Sequence, residues 1–470
     1  MLLRETVDSI ETEVRTLVSG DFPRDPRHWT GRATAALALT TQSRDIYPFL
    51  DHLRGDWVWV YDLQGERYLD MTAGVASRPF GHHPPELKRL QASLDSVVRM
   101  AASTDFDHIP QVLLAEYLIK SFPGAEIAGA PARQAFFTTC GSRAVESAVK
   151  SVIDRSHRFR FAAFLPAFHG RTGYALSLTA SKSVQTEFYP QALPVIRVPF
   201  PFTYRAPAGM TEEDLSQWCL QLLRQSITAQ GEDLAGIVLE PIAGEGGILV
   251  PPDSFIRGLR KIADDYGAYL ISDEVQMGLG RTGYFWALEH SAVIPDYIVS
   301  AKALGAGFPL AAVIGPEPLY SRLGRHSQTF SAEPYVAILA LYQLALIARS
   351  LENVRTLGRV FGERLTGIVH DFSFLGEARG RGFIWAVEVV KDKGTRESDP
   401  DRARDLIRAC ARERLIVLPA GRSAARFVPP LNATPEILDE VIRRFRRACE
   451  AVAPTVCSVS LTSPPAPVPA

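Results

Sequence analysis

The chain has 470 residues, enough to bury a large core shared between two or more lobes. Its 51 basic and 52 acidic side chains leave a formal charge of −1, which gives no electrostatic footprint for nucleic acid or an acidic membrane surface. Five cysteines (Cys140, Cys219, Cys410, Cys449 and Cys457) lie far apart, without a Cys-x-x-Cys pair or metal-ligand spacing, as in a reduced cytoplasmic protein with neither a disulfide framework nor a metal site.

Residues 1–8 hold no apolar core of signal-peptide length, and residues 1–45, mixed and charged, read as an N-terminal extension. Residues 57–69 alternate around Gln64-Gly65 and predict a β-hairpin within a lead-in, 46–109, that forms the first part of a small domain. From about residue 110 the pattern becomes strand, turn and helix in repetition. Residues 134–138 predict a strand before a helix that begins near Ser142, and residues 234–239 are a further apolar run. Asp253 and Ser254 predict the cap of a helix running to Tyr266 and stopped by Gly267. Residues 268–275 predict a buried strand whose end turns acidic at Asp273 and Glu274; residues 296–300 predict another, with Lys302 just beyond it. This alternation predicts an α/β fold, a mostly parallel sheet covered by helices, in a large domain over 110–349. The apolar stretch 336–348 is interrupted by Gln343, is too short to span a bilayer, and predicts a buried helix. Residues 350–452 predict a smaller α+β C-terminal domain, and 453–470, rich in proline, a disordered tail.

A carboxylate and a lysine presented from two strand ends of one sheet are what pyridoxal 5'-phosphate chemistry requires. The lysine forms a Schiff base with the cofactor, and the aspartate holds a proton on the pyridine nitrogen so that the ring accepts electrons. Taken singly, Asp273 and Lys302 read more readily as solvated loop charges. Other segments supply further pieces. Gly141 and Ser142 open a helix, where free N–H groups bind phosphate, though an ordinary N-cap looks the same. Phe168 can stack on a planar ring and Arg171 can grip a carboxylate bidentately. Glu240 and Glu245 lie at the end of a strand and in a Gly-rich turn, Thr329 in a loop, and Arg426 at the start of a short apolar stretch.

Together, in this order, these segments resemble the class III aminotransferases of the pyridoxal-phosphate fold type I. Gly81-His-His-Pro-Pro85, Gly141-Ser142, Phe168-His-Gly-Arg171, Glu240-Pro241, Asp273-Glu-Val-Gln276, Gly280-Arg-Thr-Gly283, Lys302, Thr329 and Arg426-Phe-Val-Pro-Pro430 carry the resemblance, from about residue 45 to 450. It implies that Lys302 is the Schiff-base lysine and that Asp273 partners the pyridine nitrogen. Gln276 contacts the ring hydroxyl, Phe168 and Val275 sandwich the ring, and Gly141 and Ser142 bind the phosphate, with Thr329 reaching it from the other subunit of a homodimer with shared sites. Arg426 binds an α-carboxylate, Glu245 pairs with it when none is present, Arg171 holds a distal carboxylate, and Glu240 belongs to the substrate side. The chain departs from the family pattern at Phe168 (commonly Tyr), at Ala243 (commonly Gln) and at Ser331-Ala-Glu-Pro334 (commonly Gly-Gly-Asn-Pro). The activity implied is transamination from an ω-amino acid or diamine, of the 4-aminobutyrate or ornithine type, to a 2-oxo acid such as 2-oxoglutarate. The rivals are an amino-acid racemase or epimerase of the same family and a binding protein of this fold that has lost catalysis.

Overall fold

The structure, a computed structural model, describes residues 4–38, 45–95, 98 and 106–453; the expected tail from 454 onward lies outside them. The N-terminal extension contains two helices, Arg4–Ser19 and Pro26–Ala36. The strands β1 (Leu50–Asp56), β2 (Trp59–Asp62) and β3 (Arg67–Asp70) form an antiparallel meander. The predicted hairpin is β2–β3, in register at Trp59↔Leu69 and Tyr61↔Arg67. Its turn is held by Asp62, whose carboxylate accepts the N–H groups of Gln64 and Glu66.

The central sheet has seven strands: β4 (Arg133–Thr138), β5 (Arg160–Leu165), β6 (Val195–Pro199), β7 (Leu234–Leu239), β8 (Tyr269–Asp273), β9 (Tyr297–Ser300) and β10 (Ala311–Pro316). Their spatial order is β4-β10-β9-β8-β7-β5-β6, and β10 alone runs antiparallel to its neighbours. All six residues of β7 are buried, because helices cover both faces and a strand there needs no polar side. Along β8, Leu270 packs with the helices Glu212–Ala229 and Asp253–Asp265, while Ile271 packs with the helix Gly141–Ser156 on the opposite face.

A third sheet, in the order β11-β12-β15-β14, lies in the C-terminal part: β11 (Leu375–Arg381) and β12 (Ile384–Val389), then β13 (Leu415–Ile416), β14 (Leu418–Ala420) and β15 (Ala424–Phe427). β13 belongs instead to the first sheet, where it pairs in parallel with β3.

Three expectations shift in detail. The helix at 253 is capped by the backbone of Pro252, and Asp253 sits in its first turn, accepting from Ser291 and Arg381. The strand expected over 268–275 is shorter, Tyr269–Asp273, because the chain turns once Asp273 accepts the N–H of Val275. The apolar stretch 336–348 is part of one 38-residue helix, Pro334–Asp371, which runs through the boundary expected at 349/350. By length and composition this is the one helix among the described residues able to cross a membrane, yet its Leu339, Ile347, Phe361 and Leu365 are buried against other elements.

Candidate active site

β4, β5, β7, β8 and β9 end on one edge of the central sheet, the edge where open α/β sheets bind ligands. The residues just beyond those ends line a cavity of about 290 Å³. Gly141, Ser142, Phe168, Glu240, Glu245, Asp273, Val275, Gln276 and Lys302 are all in its lining. Arg426, on β15, reaches it from the C-terminal part through Glu245 and Gln276. Arg171 and Thr329 do not line it: both are exposed, and the Arg171 guanidinium lies 5.7 Å from the centroid of the Phe168 ring.

Asp273, the last residue of β8, is buried and divides its carboxylate between two donors. One oxygen lies 2.7 Å from Nδ1 of His169, and the other accepts the N–H of Val275 at 3.1 Å. A carboxylate only accepts, so Nδ1 carries the hydrogen of that bond. His169 is fully enclosed, and its Nε2 finds no partner among the described residues. Its backbone N–H and that of Gly170 both donate to Oγ1 of Thr179, fixing the turn. His169 stood inside a motif matched in the sequence, but only the fold puts it on Asp273.

Glu240 follows β7 and accepts the N–H groups of Phe168 at 2.9 Å and Gly244 at 2.8 Å. Burial pushes its carboxyl up to about 7. Both oxygens are thus committed to the backbone, and Glu240 braces the loops that carry Phe168 and Glu245. Glu245 itself lies 3.1 Å from Nη2 of Arg426 and 3.7 Å from Nζ of Lys182. Burial raises its pKa, but Arg426, Lys182 and Lys302 outweigh that and hold it below the usual carboxylate range. The backbone carbonyl of Glu245 accepts the N–H of Gly421, tying its loop to the C-terminal part. No motif or spacing in the sequence singles out Lys182.

Lys302 opens a single turn, Lys302–Gly305, immediately after β9. Burial, then the nearby Arg426 charge, depress its amine to about 8 against the partial opposition of Glu245, Asp273 and Glu240. Gly141 and Ser142 begin the helix Gly141–Ser156, whose N-cap, Cys140, makes no side-chain cap, so the helix start keeps donors to offer.

These residues fit pyridoxal phosphate. The uncapped helix start suits a phosphate, the buried Asp273 suits a protonated pyridine nitrogen, and Lys302 supplies a primary amine. Gly170 keeps room beside them: its φ is +139°, and a Cβ there would lie 2.4 Å from Oγ of Ser142.

The sequence pattern of the family "Aminotransferase class-III" matches residues 39–449. The chain is 30% identical over 398 residues to a probable 4-aminobutyrate aminotransferase of Bacillus subtilis, covering 83% of this chain and 90% of that protein. It is 29% identical over 401 residues to a leucine/methionine racemase of Thermococcus litoralis, covering 83% and 88%. Among solved structures, the omega transaminase of Pseudomonas jessenii in complex with PMP superposes with a TM-score of 0.79 at 27% identity, covering 88% of this chain and 96% of that one. The cavity at the strand ends, its lysine and its aspartate therefore stand in a chain that belongs to the class III aminotransferases, enzymes that use pyridoxal 5'-phosphate to move an amino group from an amine donor to an oxo acceptor.

Proposed function

We propose that this aminotransferase takes the amino group from the carboxylate-free end of an ω-amino acid or diamine, of the 4-aminobutyrate or ornithine type, and delivers it to 2-oxoglutarate. The observation that carries the reading is the Glu245–Arg426 pair, 3.1 Å apart, beside the cavity. One site has to receive a donor end with no α-carboxylate and an acceptor that has one. With the donor, Glu245 neutralises Arg426 and avoids an unpaired buried charge, which would cost several kcal/mol. With the acceptor, Glu245 moves aside and Arg426 takes the α-carboxylate. Arg171, at the rim beside Phe168, takes the distal carboxylate.

When bound, pyridoxal phosphate supplies an electron-accepting ring and carries the amino group between two half-reactions. Lys302 Nζ would hold the cofactor, and as a free amine it would serve as the base that carries a proton at the donor carbon. Its depressed basicity makes the neutral amine available near neutral pH. Asp273, steadied by His169, keeps negative charge facing the ring nitrogen. Gly141 and Ser142 would hold the phosphate, Gln276 the ring hydroxyl, and Phe168 and Val275 the ring. The active unit is a cytoplasmic homodimer, in which the exposed Thr329 completes the phosphate site of a second copy. Residues 110–349 act as the large domain, and 46–109 with 350–452 as the small one.

The likeness to the Thermococcus litoralis racemase favours a second reading, inversion of apolar amino acids with the same lysine and aspartate. A donor panel with 2-oxoglutarate, scored by glutamate formation, separates the two when run beside an assay for inversion of L-leucine. Glutamate formed from ω-amine donors supports transamination. Inversion faster than any amino transfer overturns it.

A further inference from the structure

We infer that Lys182 is a second cation of the carboxylate-binding subsite and, with Arg426, selects substrates that carry a carboxylate. The inference rests on the shielding role proposed for Glu245 and deepens it. The two oxygens of Glu245 face cations from different parts of the fold. Oε1 lies 3.1 Å from Arg426 Nη2 on β15, and Oε2 lies 3.7 Å from Lys182 Nζ, in the segment after the helix Gly173–Leu178. The side chains of Arg426, Glu245 and Lys182 are 3%, 20% and 23% exposed, so their charges interact more strongly than at an open surface. Lys182 also lines a neighbouring cavity with Thr179 and Arg197.

Charge decides what this subsite accepts. Two cations bracket one carboxylate, so the geometry already shows a carboxylate seated between an arginine and a lysine. When Glu245 moves aside for a substrate carboxylate at Arg426, the Lys182 ammonium on its other oxygen gives it a cation to stay with. Without that ammonium the displaced Glu245 would keep closer to Arg426, and its repulsion with the substrate carboxylate would oppose binding. A carboxylate-free amine leaves Glu245 in place and draws little on Lys182. A 2-oxo acid or an α-amino acid draws on it fully. Lys182 thus acts on specificity through the substrate carboxylate and takes no part in proton movement.

The test uses cofactor-loaded enzyme and the variants Lys182→Gln, Lys182→Arg and Glu245→Gln. Binding of glutarate, an unreactive dicarboxylate, is measured by calorimetry, and kcat/KM is measured for 2-oxoglutarate and for a carboxylate-free amine. Lys182→Gln should weaken glutarate and lower kcat/KM for 2-oxoglutarate by about fivefold, the scale of one partly screened ion pair. The amine should lose far less, and Lys182→Arg should recover most of the loss. Unchanged glutarate affinity, or equal loss for both substrates, overturns the inference. Glu245→Gln tests the underlying reading separately: it should impair the amine and spare 2-oxoglutarate. If it does so while Lys182→Gln leaves glutarate binding intact, the Lys182 inference fails alone. If Glu245→Gln does not discriminate between the two substrates, the shielding reading fails and the inference falls with it.

Discussion

Asp273 gives up hydrogen-bonding freedom to be useful. Both of its oxygens are engaged, one by His169 and one by the Val275 N–H, so the carboxylate is oriented before any ligand arrives. Asp273→Asn should keep the cofactor yet lose turnover by ~10³-fold, if a few kcal/mol of transition-state stabilisation goes with the charge. Measured kcat and bound-cofactor content check this together, and near-normal kcat would contradict the role. Lys302 makes a pH prediction with a definite sign. Attachment of the cofactor requires the neutral amine, and burial has lowered this amine to about 8. Cofactor uptake by stripped protein, trapped by borohydride and mapped to Lys302, should rise as pH climbs through about 8 and level off above it. A rate still climbing near the range of an ordinary lysine would contradict the depressed amine. At this scale the sequence was informative where residue type carries the chemistry, as at Asp273 and Lys302. It was silent about Lys182, because a lysine among serines looks like solvated surface until the fold brings Glu245 to it. It also presented Glu240 as a substrate residue, whereas its oxygens are taken up by two backbone N–H groups that only the tertiary structure supplies.

Strands were legible where they are buried on both faces. The run 234–239 is continuous and apolar, and β7 has those same bounds. Helix starts were less so, since Asp253 looked like a cap and instead accepts from Ser291 and from Arg381 on β11. The motif Gly280-Arg-Thr-Gly283 was matched without a function, and its arginine turns out to be a tie between elements. Arg281 is buried and donates to the backbone carbonyls of Phe383, at the β11–β12 turn, and of Pro429, just beyond β15. Arg281→Ala removes the donor and leaves two buried carbonyls unsatisfied, at about 1–3 kcal/mol for each group. A loss of about 3 kcal/mol in denaturant unfolding is expected, with a matching fall in Tm. A loss below about 0.5 kcal/mol, the level of an ordinary surface substitution, would show that the tie carries little.

At the scale of the molecule, the cavity draws on both parts of the chain: the central sheet supplies the lysine and aspartate, and β15 supplies Arg426. The motif at Arg426–Pro430 implied that convergence by resemblance alone, because β15 is set beside the site by long-range pairing with β12. The proposed second copy adds Thr329. If sites are shared, mixing inactive Lys302→Ala chains with chains inactivated at Thr329 should restore part of the activity, since one hybrid site regains both residues. A fully active monomer by light scattering would contradict sharing. The central claim is that nitrogen moves from an ω-amine to a 2-oxo acid at this site. The most direct measurement supplies nitrogen-15-labelled 4-aminobutyrate and unlabelled 2-oxoglutarate and follows the label by mass spectrometry, with L-leucine inversion assayed on the same preparation. The account predicts labelled glutamate in step with loss of the donor. No labelled glutamate, while L-leucine is inverted, would contradict it.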